Sequence, residues 1–128
     1  ALGGNSYSNF YGAAIFGGGL ELDNCLIANN TTDNNLGRMS CAGGTLTGKN
    51  DLQWPKNKVA GGGADTDCLA GITYADPMLG ALGNNGGSTL TLAPAAAATV
   101  VQTGSNCPMI DQTGKARKTP CTLGALEL

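Results

Sequence analysis

The chain has 128 residues, 21 of them glycine, with 12% charged residues and a net charge of −2, which fits one domain with a small core. Seven Lys and Arg in all exclude a phosphate-neutralising face and a polybasic membrane patch, so nucleic acid is not an expected partner. The absence of His excludes Ser-His-Asp and Cys-His nucleophilic machinery, histidine metal sites and a histidine pH switch.

The chain opens on Ala1 with no charged-then-apolar leader. The expectation is a chain whose leader has been removed, or a fragment. Residues 1–12 are rich in Asn and Gly and carry Tyr7, Phe10 and Tyr11, which predicts a flexible or docking N-terminal arm. Gly17-Gly18-Gly19 then marks a turn, and Leu20-Glu21-Leu22-Asp23 alternates apolar and polar residues as a strand does. Asn24 turns a corner, and Cys25-Leu26-Ile27-Ala28 resumes the strand pattern before Asn29-Asn30. In this reading Leu20, Leu22, Cys25 and Ile27 point inward, and Glu21 and Asp23 share the outer face. Asn29 and Asn30 each begin a glycosylation sequon. Asn34-Asn35, Gly43-Gly44 and Gly61-Gly62-Gly63 mark further turns.

Ile72-Thr73-Tyr74, Thr89-Leu90-Thr91-Leu92 and Thr99-Val100-Val101 are further strand candidates, with a turn at Asn84-Asn85-Gly86-Gly87. No stretch of helical length shows a 3.6-residue period. The longest apolar run, Leu92–Val101, contains Pro94 and is too short to span a bilayer. Short strands between Gly and Asn corners suit a sandwich, a small barrel or a solenoid coil. In a solenoid, Asn at a bend adopts the left-handed conformation and stacks its amide on the next coil. An ordinary hairpin or meander accounts for the same pattern.

The second half carries an ordered motif series. It runs from Gln53-Trp54-Pro55 through Ala75-Asp76-Pro77-Met78-Leu79-Gly80 to Asn84-Asn85-Gly86-Gly87-Ser88-Thr89-Leu90-Thr91. It continues with Cys107-Pro108, Asp111-Gln112-Thr113-Gly114, Arg117 and Cys121-Thr122-Leu123-Gly124-Ala125-Leu126-Glu127. This series resembles the C-terminal region of bacterial extracellular right-handed β-helix proteins known as choice-of-anchor Q domain proteins, over about residues 13 to 127. Leu22 to Asn30 is similar to the last coil of their repeat. The chain departs from the family at Leu92–Gly104, at Thr113 and at Thr122. An Arg and an Asp that pair in the family's pattern are missing there. The resemblance implies an all-β fold: the terminal coils of a right-handed parallel β-helix over residues 13–128, with a disulfide-stapled, loop-rich C-terminal cap. It also implies a secreted or surface-displayed protein. With the chain stopping at Leu128, the expectation is a processed form or one without an anchor.

Five widely spaced cysteines in a small Gly-rich chain point to disulfides and an oxidising compartment. Cys107 and Cys121 bound a loop of about 15 residues, and Cys41 and Cys68 one of about 28, so each closure contributes about 3 to 4 kcal/mol. Cys25 is left as a buried free thiol or an intermolecular disulfide. Asp65-Thr66-Asp67 offers two carboxylates to calcium, or simply keeps a loop soluble. No other cofactor is expected. Glu21 and Asp23 have the chemistry of a glycosidase pair but read more simply as a solvated strand face. Trp54 is the one large candidate for a sugar platform, or else it packs a loop over the coil end.

No catalytic constellation emerges, so the chain is not expected to be an enzyme. The coil leaves one end with free backbone donors and apolar side chains. The expected function is therefore an extracellular structural or adhesive module that self-assembles through that end or receives upstream coils. A filament subunit is the extended form of this reading. Leu20 and Leu22 form its contact surface, and the Tyr7-Phe10-Tyr11 arm lies on a neighbour by strand addition. The alternative is a fragment of a polysaccharide-binding or lyase-like β-helix protein.

Overall fold

The computed structural model describes residues 12–30, 39–57 and 63–128; Tyr7, Phe10 and Tyr11 lie outside the described residues. Among the described residues the chain is all-β, without helices, and carries two disulfides. The first three strands are β1 (Gly12–Phe16), β2 (Gly19–Asp23) and β3 (Leu26–Ala28). A second triplet follows with β4 (Met39–Ala42), β5 (Thr45–Lys49) and β6 (Leu52–Trp54). Then come β7 (Thr73–Tyr74), β8 (Leu79–Gly83) and β9 (Thr91–Pro94).

Each strand of the first triplet pairs in parallel with its counterpart in the second: β1 with β4, β2 with β5, β3 with β6. The register is constant over β2 and β3. Gly19 faces Thr45, Asp23 faces Lys49 and Leu26 faces Leu52, the same 26-residue step that separates Asn24 from Asn50. β7 extends the third sheet in parallel beyond β6, while β8 and β9 form a separate antiparallel pair. The sheets hold two or three strands each. Two triplets fall short of the three repeats or so that make a solenoid.

Glycine and asparagine set the corners. Gly17-Gly18 and Gly43-Gly44 all have positive φ, as do Asn24 at 59° and Asn50 at 57°, where residues with a Cβ are strained unless their side chain bonds locally. Gly44 is also a point of contact. A Cβ there would run into the Gly18 carbonyl oxygen and lie 2.8 Å from its nitrogen.

Strand alternation builds two cores. Ile15, Leu22, Ile27, Cys41 and Leu46 from the first two triplets meet Cys68, Leu69, Ile72 and Tyr74 in one cluster. Leu26, Leu52 and Trp54 are on the opposite face of the third sheet, against Ala98, Val100 and Leu123 of the C-terminal segment. That sheet is thus buried on both faces, which explains its continuous apolar run Leu26-Ile27.

Several expectations need correction. Leu20 shares the face of Leu22 but is 46% exposed, while Leu22 is half-buried against the core. Cys25 sits at the corner, and the strand starts at Leu26. Thr99-Val100-Val101 is not a strand. Tight turns close by hydrogen bonds from Ala98 N to Ala95 O and from Val101 N to Ala98 O, and Val100 is a fully buried plug. The Thr89–Leu92 strand begins only at Thr91. The second triplet was not expected at all. Gly43, Gly44 and Gly48 dilute its apolar alternation, and its place is set by pairing with the first.

These contacts predict unequal costs for two matched substitutions. Gly44→Ala meets both the positive φ and the Gly18 carbonyl and destabilises by several kcal/mol, of order 3. Gly18→Ala meets the positive φ, with only Leu20 Cγ nearby at 4.0 Å, and costs about 1 to 2 kcal/mol. Urea denaturation of the two variants gives that order; equal losses would contradict the close stacking.

Candidate functional site

The corner after β2 joins both triplets to the C-terminal segment. Asn50 donates from Nδ2 to Asn24 Oδ1 at 3.3 Å, so the two corner amides stack along the repeat. Asn24 in turn donates to the Ser105 carbonyl at 2.9 Å and accepts from Ser105 N at 3.1 Å. Asn50 also donates to Ser105 Oγ at 2.8 Å. Asn24 is only 8% exposed, so this saturation removes what would otherwise be a costly buried amide. One residue on, Cys25 N donates to Asp51 Oδ1 at 2.7 Å.

The two ends of the stacked triplets differ. On the side away from the second triplet, β1, β2 and β3 have no strand partner among the described residues. Phe16 and Leu20, flanking the Gly17-Gly18 corner, are 53% and 46% exposed there. On the other side β7 covers β6, with Leu52 facing Thr73 and Gln53 facing Tyr74. Asp65 takes the Ser40 N–H of β4 on both carboxylate oxygens, at 3.0 and 3.1 Å. Fully buried Gln53 accepts from Cys68 N at 2.9 Å and donates to Thr66 O and to Asp65. This end is sealed on two of its three sheets.

Cys41 is bonded to Cys68 and Cys107 to Cys121, with Cα separations of 5.2 and 6.4 Å. The first bond ties β4 to the segment that closes the stack. The second ties the loop after Gly104 to the C-terminal strand bridge, where Gly104 pairs with Cys121. Cys25 is a half-buried free thiol whose Sγ donates to Asp23 O at 3.5 Å. Burial pushes that thiol up, and the Asp51 carboxylate, with Asp23 behind it, pushes it further. Burial also raises Asp51, against the bond it accepts from Cys25 N.

The remaining candidates have structural partners. Asp65 spends its oxygens on Ser40, Gln53 and Thr66 N–H groups, and Asp67 accepts the Tyr74 hydroxyl at 2.8 Å. Lys56 stands over the same Tyr74 ring, 5.8 Å from its centre. No group of three or more metal-type ligands occurs among the described residues. Glu21 and Asp23 are exposed, with Asp23 4.0 Å from Lys49. Trp54 packs against the second core rather than standing free as a sugar platform. Asn29 is exposed at a corner with φ 53°, and Asn30 is half-buried.

The C-terminal motif residues form a buried polar knot, to which the motif spacing alone assigns no roles. Asp111 accepts from Thr113 N, Thr113 Oγ1 and Lys115 N on Oδ1, and from Glu127 N on Oδ2, all within 2.9 Å. Glu127 accepts from Thr122 N and Oγ1. Arg117 donates to the Thr122 and Gly124 carbonyls and lies 3.7 Å from Glu127, both side chains buried. Thr122 thus serves a carboxylate, through both its N–H and its hydroxyl. Burial alone would raise the Asp111 carboxyl. The N–H of Glu127, the Thr113 hydroxyl and the N–H groups of Lys115 and Thr113 outweigh it and hold the carboxyl at about 2.

No family model matches the chain, and neither a curated protein nor a solved structure matches it.

Two outcomes follow from these environments. Because the folded Asp111 carboxyl lies below its ordinary 3.8, its contribution is complete above that pH and is lost as pH falls towards about 2. The urea midpoint should drop through this window, and the profile of Asp111→Asn should be flatter there. Cys25 should alkylate slowly with neutral iodoacetamide at pH 8. Asp51→Asn, and more weakly Asp23→Asn, should shift the rate–pH curve to lower pH, because the thiolate loses a repelling charge. An unmoved curve in both variants would remove the carboxylates from the account.

Proposed function

We propose that the chain is a non-catalytic structural or adhesive module of an extracellular protein, built as two coils of a right-handed parallel β-helix closed by its disulfide-stapled cap. One observation carries this reading: three parallel pairings that share a 26-residue step from Ile15 onward, with the corner amides of Asn24 and Asn50 bonded across it. Parallel strands joined by crossovers in one sheet are right-handed almost without exception. Two disulfides in so small a chain suit an oxidising exterior. No helix among the described residues is long and apolar enough to cross a membrane. The later part of the motif series that resembles the extracellular β-helix family, from Cys107 on, falls in the cap, where Asp111, Arg117 and Glu127 are its internal ties.

The module has one contact pole. Its far end is occupied by β7, Asp65 and Gln53, whereas a filament needs two complementary poles. The chain therefore suits the terminus of a stack, or a single docking partner, better than a repeating link.

Hydrogen exchange tests the architecture. The N–H groups of β2 and β3 that point away from β5 and β6 should exchange far faster than those of β6, and reduction of the disulfides should erase protection in the cap. Equal protection of those outward N–H groups and of β6 would overturn the reading. Antibodies to the folded chain should label intact source cells from outside; labelling only after permeabilisation would overturn the extracellular assignment.

A further inference from the structure

We propose that a cavity in the C-terminal cap binds an acidic sugar, its carboxylate on Lys118 and its hydroxyls on Ser105, Asn106 and Thr119. The site stands on the cap alone and does not depend on the β-helix reading above.

Two antiparallel stretches of chain enclose the cavity. They are tied at one end by the Gly104–Cys121 bridge, and at the other by the Ile110–Ala116 bridge and the bond from Arg117 N to Met109 O. Between these ties they part around a space of about 430 Å³, inside the range of about 300 to 1,000 Å³ that small-molecule sites occupy. The Cys107–Cys121 disulfide crosses from one stretch to the other and holds their spacing. The Gly104 end is tightly closed: a Cβ there would lie 2.7 Å from Cys121 Sγ and 2.8 Å from Asn24 Oδ1.

Charge selects an anion. The chain as a whole carries −2, yet the cavity is lined by two cations, Arg117 and Lys118, and by no carboxylate. Arg117 is committed to the cap, through the Thr122 and Gly124 carbonyls and Glu127. The other basic side chains among the described residues have partners too. Lys49 has Asp23, Lys56 the Tyr74 ring and Lys115 the Glu127 carbonyl. Lys118 alone bonds to nothing among the described residues, and it is exposed at the cavity.

The remaining polar groups select an oxygen-rich ligand. Elsewhere the molecule spends its polar side chains internally, as Gln53, Asp65 and Asp111 show. Here the Ser105 hydroxyl accepts from Asn50 at 2.8 Å and keeps its own proton to donate. The Asn106 amide, at a corner with φ 54°, and the Thr119 hydroxyl have no partner among the described residues. A bare anion would use the ammonium and leave these groups to water. Sugar hydroxyls both donate and accept, so they answer hydroxyl and amide alike. Pro108 and Met109, the latter 89% exposed, offer an apolar wall to the C–H face of a sugar ring.

The test is a titration of the intact oxidised chain, followed by backbone amide resonances at constant ionic strength, with glucuronate and galacturonate up to about 50 mM, a weak-binding regime. At least one should give saturating shifts confined to residues 104–109 and 116–121. Glucose, acetate and sulfate should give none that saturate. Lys118→Gln should weaken binding at least about fivefold with the rest of the spectrum unchanged, and Lys118→Arg should retain it. Raising NaCl from about 20 to about 200 mM should also weaken it, because the ammonium is screened. No saturating shift with either sugar acid, an equal response to glucose, or an unaltered affinity in Lys118→Gln would each overturn the inference. Acetate or sulfate binding as tightly as the sugar acids would reduce the cavity to a bare anion site and overturn the assignment of the ligand.

Discussion

Close approach at the corners is the constraint on which the rest of the structure depends. The two triplets stack because the chain can bend at Gly17-Gly18 and Gly43-Gly44 with positive φ and leave no Cβ between the layers. Placed there, Asn24 and Asn50 bend the chain a second time and bond to each other across the step. Once these corners coincide, the register of β2 on β5 and β3 on β6 follows, because a slip of one residue would reverse every side chain. Ile15, Leu22, Ile27, Cys41 and Leu46 then converge on one core.

That core is small, and the molecule compensates with buried polar groups and covalent ties. Gln53, at 0% exposure, would be prohibitive in an apolar interior without its three partners. Asp111 and Glu127 act alike in the cap, each accepting main-chain N–H groups that have no strand to pair with. The disulfides hold the two places where the chain leaves regular pairing, at β4 and beside the Gly104–Cys121 bridge. Among the described residues, β7, Asp65 and Gln53 cover one end of the stack on two of its three sheets and use their polar groups internally.

Much of this was legible in the residues. The Leu20–Asp23 alternation, the Asn24 corner and the inward Ile27 are local features, decided by the two-residue period of a strand and by the tolerance of Asn for positive φ. The second triplet was not read, because its strands carry little apolar pattern of their own; its place shows only when Gly43-Gly44 and Asn50 are set beside Gly17-Gly18 and Asn24. The exposure of Leu20 was not legible. It depends on how many layers stand on β2, which periodicity within one strand does not encode.

By itself the amino-acid sequence determined the all-β class, the corner positions and the exclusion of histidine chemistry, because each follows from what single residues or short spacings permit. Tertiary structure alone decided that Trp54 is packing, that Asp65 serves backbone N–H groups, and that Asp111, Arg117 and Glu127 form one knot. These depend on which groups separated by tens of residues become neighbours, and a carboxylate or an indole takes its role from those neighbours.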